Sequence, residues 1–177
     1  YRMGYMIFPD NYKPLKEKVI CCASETFSCV NTPLQYGAIS IFENFNDVID
    51  YNWDKIECLK LYSNYFYKEF TKMNIKVHKS EGAFYMYLDF GFYFEKFLLN
   101  DINNSEELCL RLLNEIGFAL LPGNAFGLNN GYTARFSYTN FSHDSDYTKI
   151  TNDNYKAMNL LNKWFINIES CLKMSKL

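Results

Sequence analysis

A proline-glycine turn, Leu121-Pro-Gly-Asn-Ala-Phe-Gly127, leads into Gly131-Tyr-Thr-Ala-Arg-Phe-Ser-Tyr138, and the second segment carries a single arginine among apolar and hydroxyl side chains. Pro-Gly pairs mark turns, and the pattern that follows predicts a short strand over Tyr132 to Tyr138. Arg135 in such a strand is costly to bury without a partner. The nearest acids in sequence are Asp144 and Asp146, so an external anion is a reasonable partner. A permanently charged planar fork beside a tight turn suits capture of a small carboxylate. The plainer alternatives are an arginine paired with an internal acid, and an ordinary turn.

The rest of the chain alternates helices and strands. Met3 to Phe8 reads as a short apolar strand, closed by Pro9-Asp10. A helix follows from about residue 12 to 22, with Leu15, Val19 and Cys22 on one face. Thr32 as N-cap with Pro33 behind it predicts the next helix, with Leu34, Ala38, Ile41 and Phe42 turned to a core. A long helix runs from Asn46 or Asp47 to Met73, striped by Ile56, Leu59, Tyr62, Phe66, Phe70 and Met73. Brief strands are predicted over Lys76 to His78 and Phe118 to Leu121. The strand from Ala83 to Phe90 has apolar and aromatic residues on both faces, as in a strand buried on both sides.

Ser105-Glu106-Glu107 starts a helix that Gly117 stops, and a last helix carries Ala157, Leu160, Leu161, Trp164, Ile168 and Leu172 on one side. Residues 91 to 104 fit neither pattern cleanly. The order predicts an α/β chain with an α+β small domain, in which helices cover a mixed sheet.

Composition narrows the function. Hydrophobic residues make up 49% of the 177, and aromatics 19%, enough for a packed core and against disorder. A net charge of -2 with no basic block argues against a nucleic-acid partner. No apolar run is long enough to span a membrane. The six cysteines form no Cys-x-x-Cys pair, and His78 and His143 stand alone, which argues against a metal site. Reduced thiols in a cytoplasmic protein are the expectation. Ser24, Ser28, His78 and His143 show no pairing of nucleophile and base, so hydrolase chemistry is set aside.

Arg2-Met-Gly-Tyr5, Gly82-Ala-Phe-Tyr85, Pro122-Gly123, Phe126-Gly127 and Arg135 together resemble the C-terminal part of the fold-type-I, pyridoxal-phosphate-dependent aminotransferases, the aspartate aminotransferase-like superfamily. The resemblance covers nearly the whole chain but only the back part of the family's fold. It implies residues 1–45 as the tail of a large cofactor domain, 46–73 as the long linking helix and 74–177 as the small C-terminal domain.

It implies also that Arg2 binds the phosphate of pyridoxal 5'-phosphate and that Arg135 binds the substrate's α-carboxylate. The substrates would be an amino acid and a 2-oxo acid, and the parent protein a homodimer. Gly82-Ala-Phe-Tyr85 counts as a fold signature and not as a site. In the family the Schiff-base lysine precedes the segment matching Arg2, so it would lie before residue 1; Lys13, Lys16 and Lys18 do not match it. The chain alone is then expected to be catalytically silent, unable to hold the cofactor, and prone to self-association or to a mobile front of forty-odd residues. Alternatives are a lyase or synthase of the same fold, and a non-catalytic amino-acid-binding or interaction module.

Overall fold

Proline sits in the first two positions of both leading helices, α1 (Lys13–Thr26) and α2 (Thr32–Glu43), where its missing N–H costs no hydrogen bond. The cap of α2 is Asn31, one residue before the expected Thr32: its backbone is extended, and its side-chain oxygen accepts the Leu34 N–H at 3.2 Å. The computed structural model describes residues 3–129, 131–139 and 149–174. Its chain divides into two compact units, Tyr1–Asn52 and Trp53–Leu177.

In the first unit Met3 to Phe8 forms no regular element and so is not the expected strand. A strand needs a neighbour to complete its ladder, and these residues have none among the described ones. The ring of Tyr5 instead packs edge-on against Phe42, 5.3 Å between centres. Ala38 is buried, while Ile41 and Phe42 remain about half exposed, so the expected core face of α2 is only partly covered. Ile7, Phe27 and Tyr36 also stand exposed.

The long helix α3 spans Phe45–Lys72, with Cys58, Tyr62, Phe66 and Phe70 buried. The second unit holds the part of α3 from Trp53 onward together with β1 (Lys76–Val77), β2 (Tyr85–Asp89), α4 (Phe94–Leu98), α5 (Ser105–Ile116), β3 (Leu121–Pro122), β4 (Thr133–Ser137) and α6 (Asn152–Met174). The strands form a sheet in the order β1-β2-β4-β3, antiparallel at every pairing and so not mixed as expected. Tyr87 sits opposite Arg135 in the β2–β4 pair, and Leu121 of β3 opposite Arg135 on the other side.

Burial alternates along β2 and β4. Met86, Leu88, Ala134 and Phe136 face the core, whereas Tyr85, Tyr87 and Ser137 are exposed and Arg135 is half-buried. This corrects the expectation of a strand buried on both sides. An antiparallel sheet can keep one face to solvent, and here aromatic residues occupy that face. On the inner face Phe136 meets Phe66 at 4.8 Å, Phe70 at 5.2 Å and Phe118 at 5.7 Å between ring centres. Edge-to-face and offset ring packing of this kind adds to simple burial.

The segment the sequence left undecided is a 3-10 turn at Gly91–Tyr93 running into α4, pinned by the buried Phe97 and by the Tyr93 hydroxyl, which donates to the Met73 carbonyl at 2.6 Å. Asn104, not Ser105, caps α5, its side-chain oxygen accepting the Glu107 N–H at 2.9 Å. The Glu107 carboxylate reaches back to the Asn103 N–H at 2.7 Å, and that bond holds its carboxyl below the usual range.

Gly117 ends α5 in the left-handed region (φ 70°), and Phe118 gives its N–H to the Leu112 carbonyl. That bond takes the Phe118 N–H, and β3 covers only Leu121–Pro122, shorter than expected. On α6, Met158, Leu161, Trp164, Phe165 and Ile168 are buried, but Leu160 is about half exposed against expectation. No helix among the described residues is long and apolar enough to cross a membrane.

Candidate functional site

Arg135 lies on the open face of the sheet, between β2 and the turn that follows β3. Its guanidinium carbon stands 4.2 Å from the ring centre of Tyr85 and 5.1 Å from that of Phe126. Both contacts are cation–π in kind. Among the described residues the guanidinium takes part in no ion pair and no hydrogen bond. Its planar array of N–H donors is therefore not taken up by those residues. Asp144 and Asp146 lie outside the described residues.

The neighbouring positions explain why Tyr85 and not Tyr87 reaches the arginine. Tyr87 is directly opposite Arg135, but its hydroxyl is 3.1 Å from Thr133 Oγ1, within hydrogen-bond reach. Tyr85, opposite Ser137, approaches Arg135 on the diagonal, a distance aromatic and long side chains can bridge.

The Pro-Gly turn is built for close approach. Pro122 runs into a 3-10 helix, Gly123–Phe126, and Gly127 closes it with φ 81°. A Cβ on Gly123 would fall 2.1 Å from Thr133 Oγ1 and 2.8 Å from the Tyr87 hydroxyl, so only glycine lets the turn sit against that hydroxyl pair. Asn124 donates to the Glu106 carboxylate at 3.1 Å and ties the turn to α5. Phe126 is carried on this anchored turn, its ring edge-on to Tyr87 at 6.2 Å.

Of the residues singled out from sequence, Arg135 and the Pro-Gly turn come together. Arg2 lies outside the described residues. Tyr85, in sequence part of a fold signature, contacts the arginine directly, and Phe126, in sequence part of a turn, does so too. The antiparallel register was the missing information, because only it puts Tyr85 and Arg135 on one face. No group of three or more His, Cys, Asp or Glu that could hold a metal ion occurs among the described residues.

The family of class I and II aminotransferases matches residues 1–146. The chain belongs to this family. An aspartate aminotransferase of Sulfurisphaera tokodaii is 32% identical over 136 residues, 74% of this chain and 30% of that protein. One from Thermotoga maritima is 31% identical over 126 residues, 71% of this chain and 28% of that protein. The aminotransferase chain thus spans about a third of the length of these relatives.

The same fold is found in the crystal structure of the Thermotoga maritima aspartate aminotransferase (TM-score 0.52, 24% identity, 81% of this chain and 31% of that one). It is found also in an aromatic aminotransferase from Pyrococcus horikoshii (TM-score 0.56, 18% identity, 86% and 36%).

Proposed function

We propose that this chain is the substrate-carboxylate portion of a pyridoxal-phosphate-dependent aminotransferase, with Arg135 as the group that takes the α-carboxylate. The observation that carries the reading is a guanidinium on an open sheet face whose donors meet no acceptor among the described residues. Residues 74–177 would form the small domain, 46–73 the linking helix and 1–45 the tail of the cofactor domain. The relatives named aspartate aminotransferase support aspartate as the amino acid, with a 2-oxo acid as the acceptor; the parent protein would act as a homodimer.

When bound, pyridoxal 5'-phosphate supplies the electron sink that lets an amino group leave one carbon and join another. Arg2, through its bidentate fork, would hold the phosphate of that group. Arg135 would fix the carboxylate at two points and so set the direction of the substrate's Cα–H bond, which is a positioning task.

The test is Arg135→Ala and Arg135→Lys in the full gene product loaded with pyridoxal 5'-phosphate. Removing a paired charge of this kind costs about 2–5 kcal/mol, so kcat/KM for L-aspartate should fall by roughly 30-fold or more. Lysine should restore only part of it, because it lacks the fork. An Arg135→Ala enzyme with unchanged kcat/KM overturns the reading.

A further inference from the structure

The geometry points to Tyr85 and Phe126 as positioning residues, whose rings hold the Arg135 guanidinium ready to receive a carboxylate. The inference rests on the reading of Arg135 given above. An arginine side chain has large rotamer freedom, and ordering it at the moment of binding weakens binding. Arg135 has no ion pair or hydrogen bond among the described residues to order it beforehand. Two rings from separate elements do so instead, Tyr85 from β2 at 4.2 Å and Phe126 from the turn after β3 at 5.1 Å.

An aromatic ring suits this task better than an acid. A carboxylate in the same place would order the guanidinium by occupying its N–H donors and would compete with the ligand. A ring attracts the cation through its face and leaves those donors to an incoming anion. Neither ring is there as core packing, since Tyr85 is 41% and Phe126 44% exposed. Each is nevertheless placed by something rigid. Tyr85 is in register within the β2–β4 ladder. Phe126 rides on a turn closed by the Gly127 N–H to Asn124 carbonyl bond at 3.0 Å and anchored to Glu106 through Asn124.

The chain contains three arginines, Arg2, Arg111 and Arg135, so their Nε–H signals can be followed separately by nitrogen-15 NMR of the 177-residue chain. L-Aspartate is titrated into the wild type and into Tyr85→Leu, Phe126→Leu, Tyr85→Phe and Phe126→Tyr. Each leucine variant should bind about two- to fivefold more weakly, the range set by a cation–π contact at an exposed site, and the aromatic swaps within about twofold of wild type.

A trifluorinated phenylalanine at position 126 keeps the ring's shape and removes its negative face. It should weaken binding as the leucine does while leaving the melting temperature in place, which separates orientation of the cation from a folding defect. If the wild type saturates but the leucine and fluorinated variants bind equally well, the positioning role is overturned and the reading of Arg135 stands. If aspartate does not move the wild-type Arg135 signal in this chain, the same titration is read in the full gene product loaded with pyridoxal 5'-phosphate, and silence there as well overturns the reading of Arg135 and this proposal with it.

Discussion

Trp164 donates its indole N–H to the Glu115 carboxylate at 2.6 Å, joining α6 to α5 at a point where the ring is buried and the acid half exposed. The other carboxylate oxygen accepts from Arg111 Nε at 2.6 Å. Burial pushes the Glu115 carboxyl up, but the bonds from Arg111 and Trp164 outweigh it and leave it below the ordinary value.

A Trp164→Phe variant should therefore lose about 1 kcal/mol of unfolding free energy at neutral pH, a charged hydrogen bond discounted for the exposure of the acid. The sign of the pH effect follows from the depressed value. The stabilisation is fully present above the unfolded-state pKa of about 4.3 and is lost as pH falls through the lower folded value. Urea titrations at pH 7 and pH 3 should show the penalty of Trp164→Phe shrinking at the acid end. A penalty that stays constant with pH would mean that the ring's packing, and not its bond to Glu115, accounts for it.

Gly123→Ala should destabilise the second unit by about 1–3 kcal/mol, as expected of overpacking. The added methyl meets Thr133 Oγ1 at 2.1 Å and also the Thr133 carbonyl oxygen at 3.1 Å, and the backbone atom cannot swing aside. Thr133→Ala in the same chain should recover part of the loss, which a double-mutant cycle would measure. Gly82→Ala is the matched control, with nothing within 4 Å of the added carbon, and should lie within about 0.5 kcal/mol of wild type.

The helices and the arginine were legible because both are written locally. The apolar stripe of α3 and the stop at Gly117 need only neighbouring residues, and an arginine in a hydroxyl-rich strand is conspicuous by itself. Strand partners are not local. Met3 to Phe8 has a strand's composition and no ladder among the described residues. Tyr85 and Tyr87 look alike in sequence, and only the register assigns one to Arg135 and the other to Thr133. Asparagine capping is ambiguous in sequence for a smaller reason: beside Asn31 and Asn104 stand Thr32 and Ser105, whose hydroxyls are also good caps.

Thiol reactivity should divide by burial. Cys21, Cys22 and Cys29 are free and exposed, while Cys58 and Cys109 are buried. Burial pushes the Cys58 thiol up and that of Cys109 up to about 12, so little thiolate is present to react at pH 8. Brief treatment with iodoacetamide followed by peptide mass mapping should find the first three modified and these two protected until urea is added. Equal labelling of Cys109 in the native chain would contradict the packing of α5.

Ser63 makes the last prediction. Its hydroxyl is buried in α3 and has no hydrogen-bond partner among the described residues, beside a recess of about 230 Å³ that Leu59, Ser80 and Tyr138 also line. The Tyr138 hydroxyl directs its one proton toward Ser80 Oγ at 3.0 Å and the Ala83 carbonyl at 3.2 Å, and so donates none to Ser63. An unpaired buried hydroxyl costs about 1–3 kcal/mol, and alanine is the better helix former by a few tenths. Ser63→Ala should therefore raise the unfolding free energy by about 1 kcal/mol in urea titration, a gain few core substitutions give. A loss of stability of that size would show that the hydroxyl is satisfied in solution, by water entering the recess, and that the recess is wet.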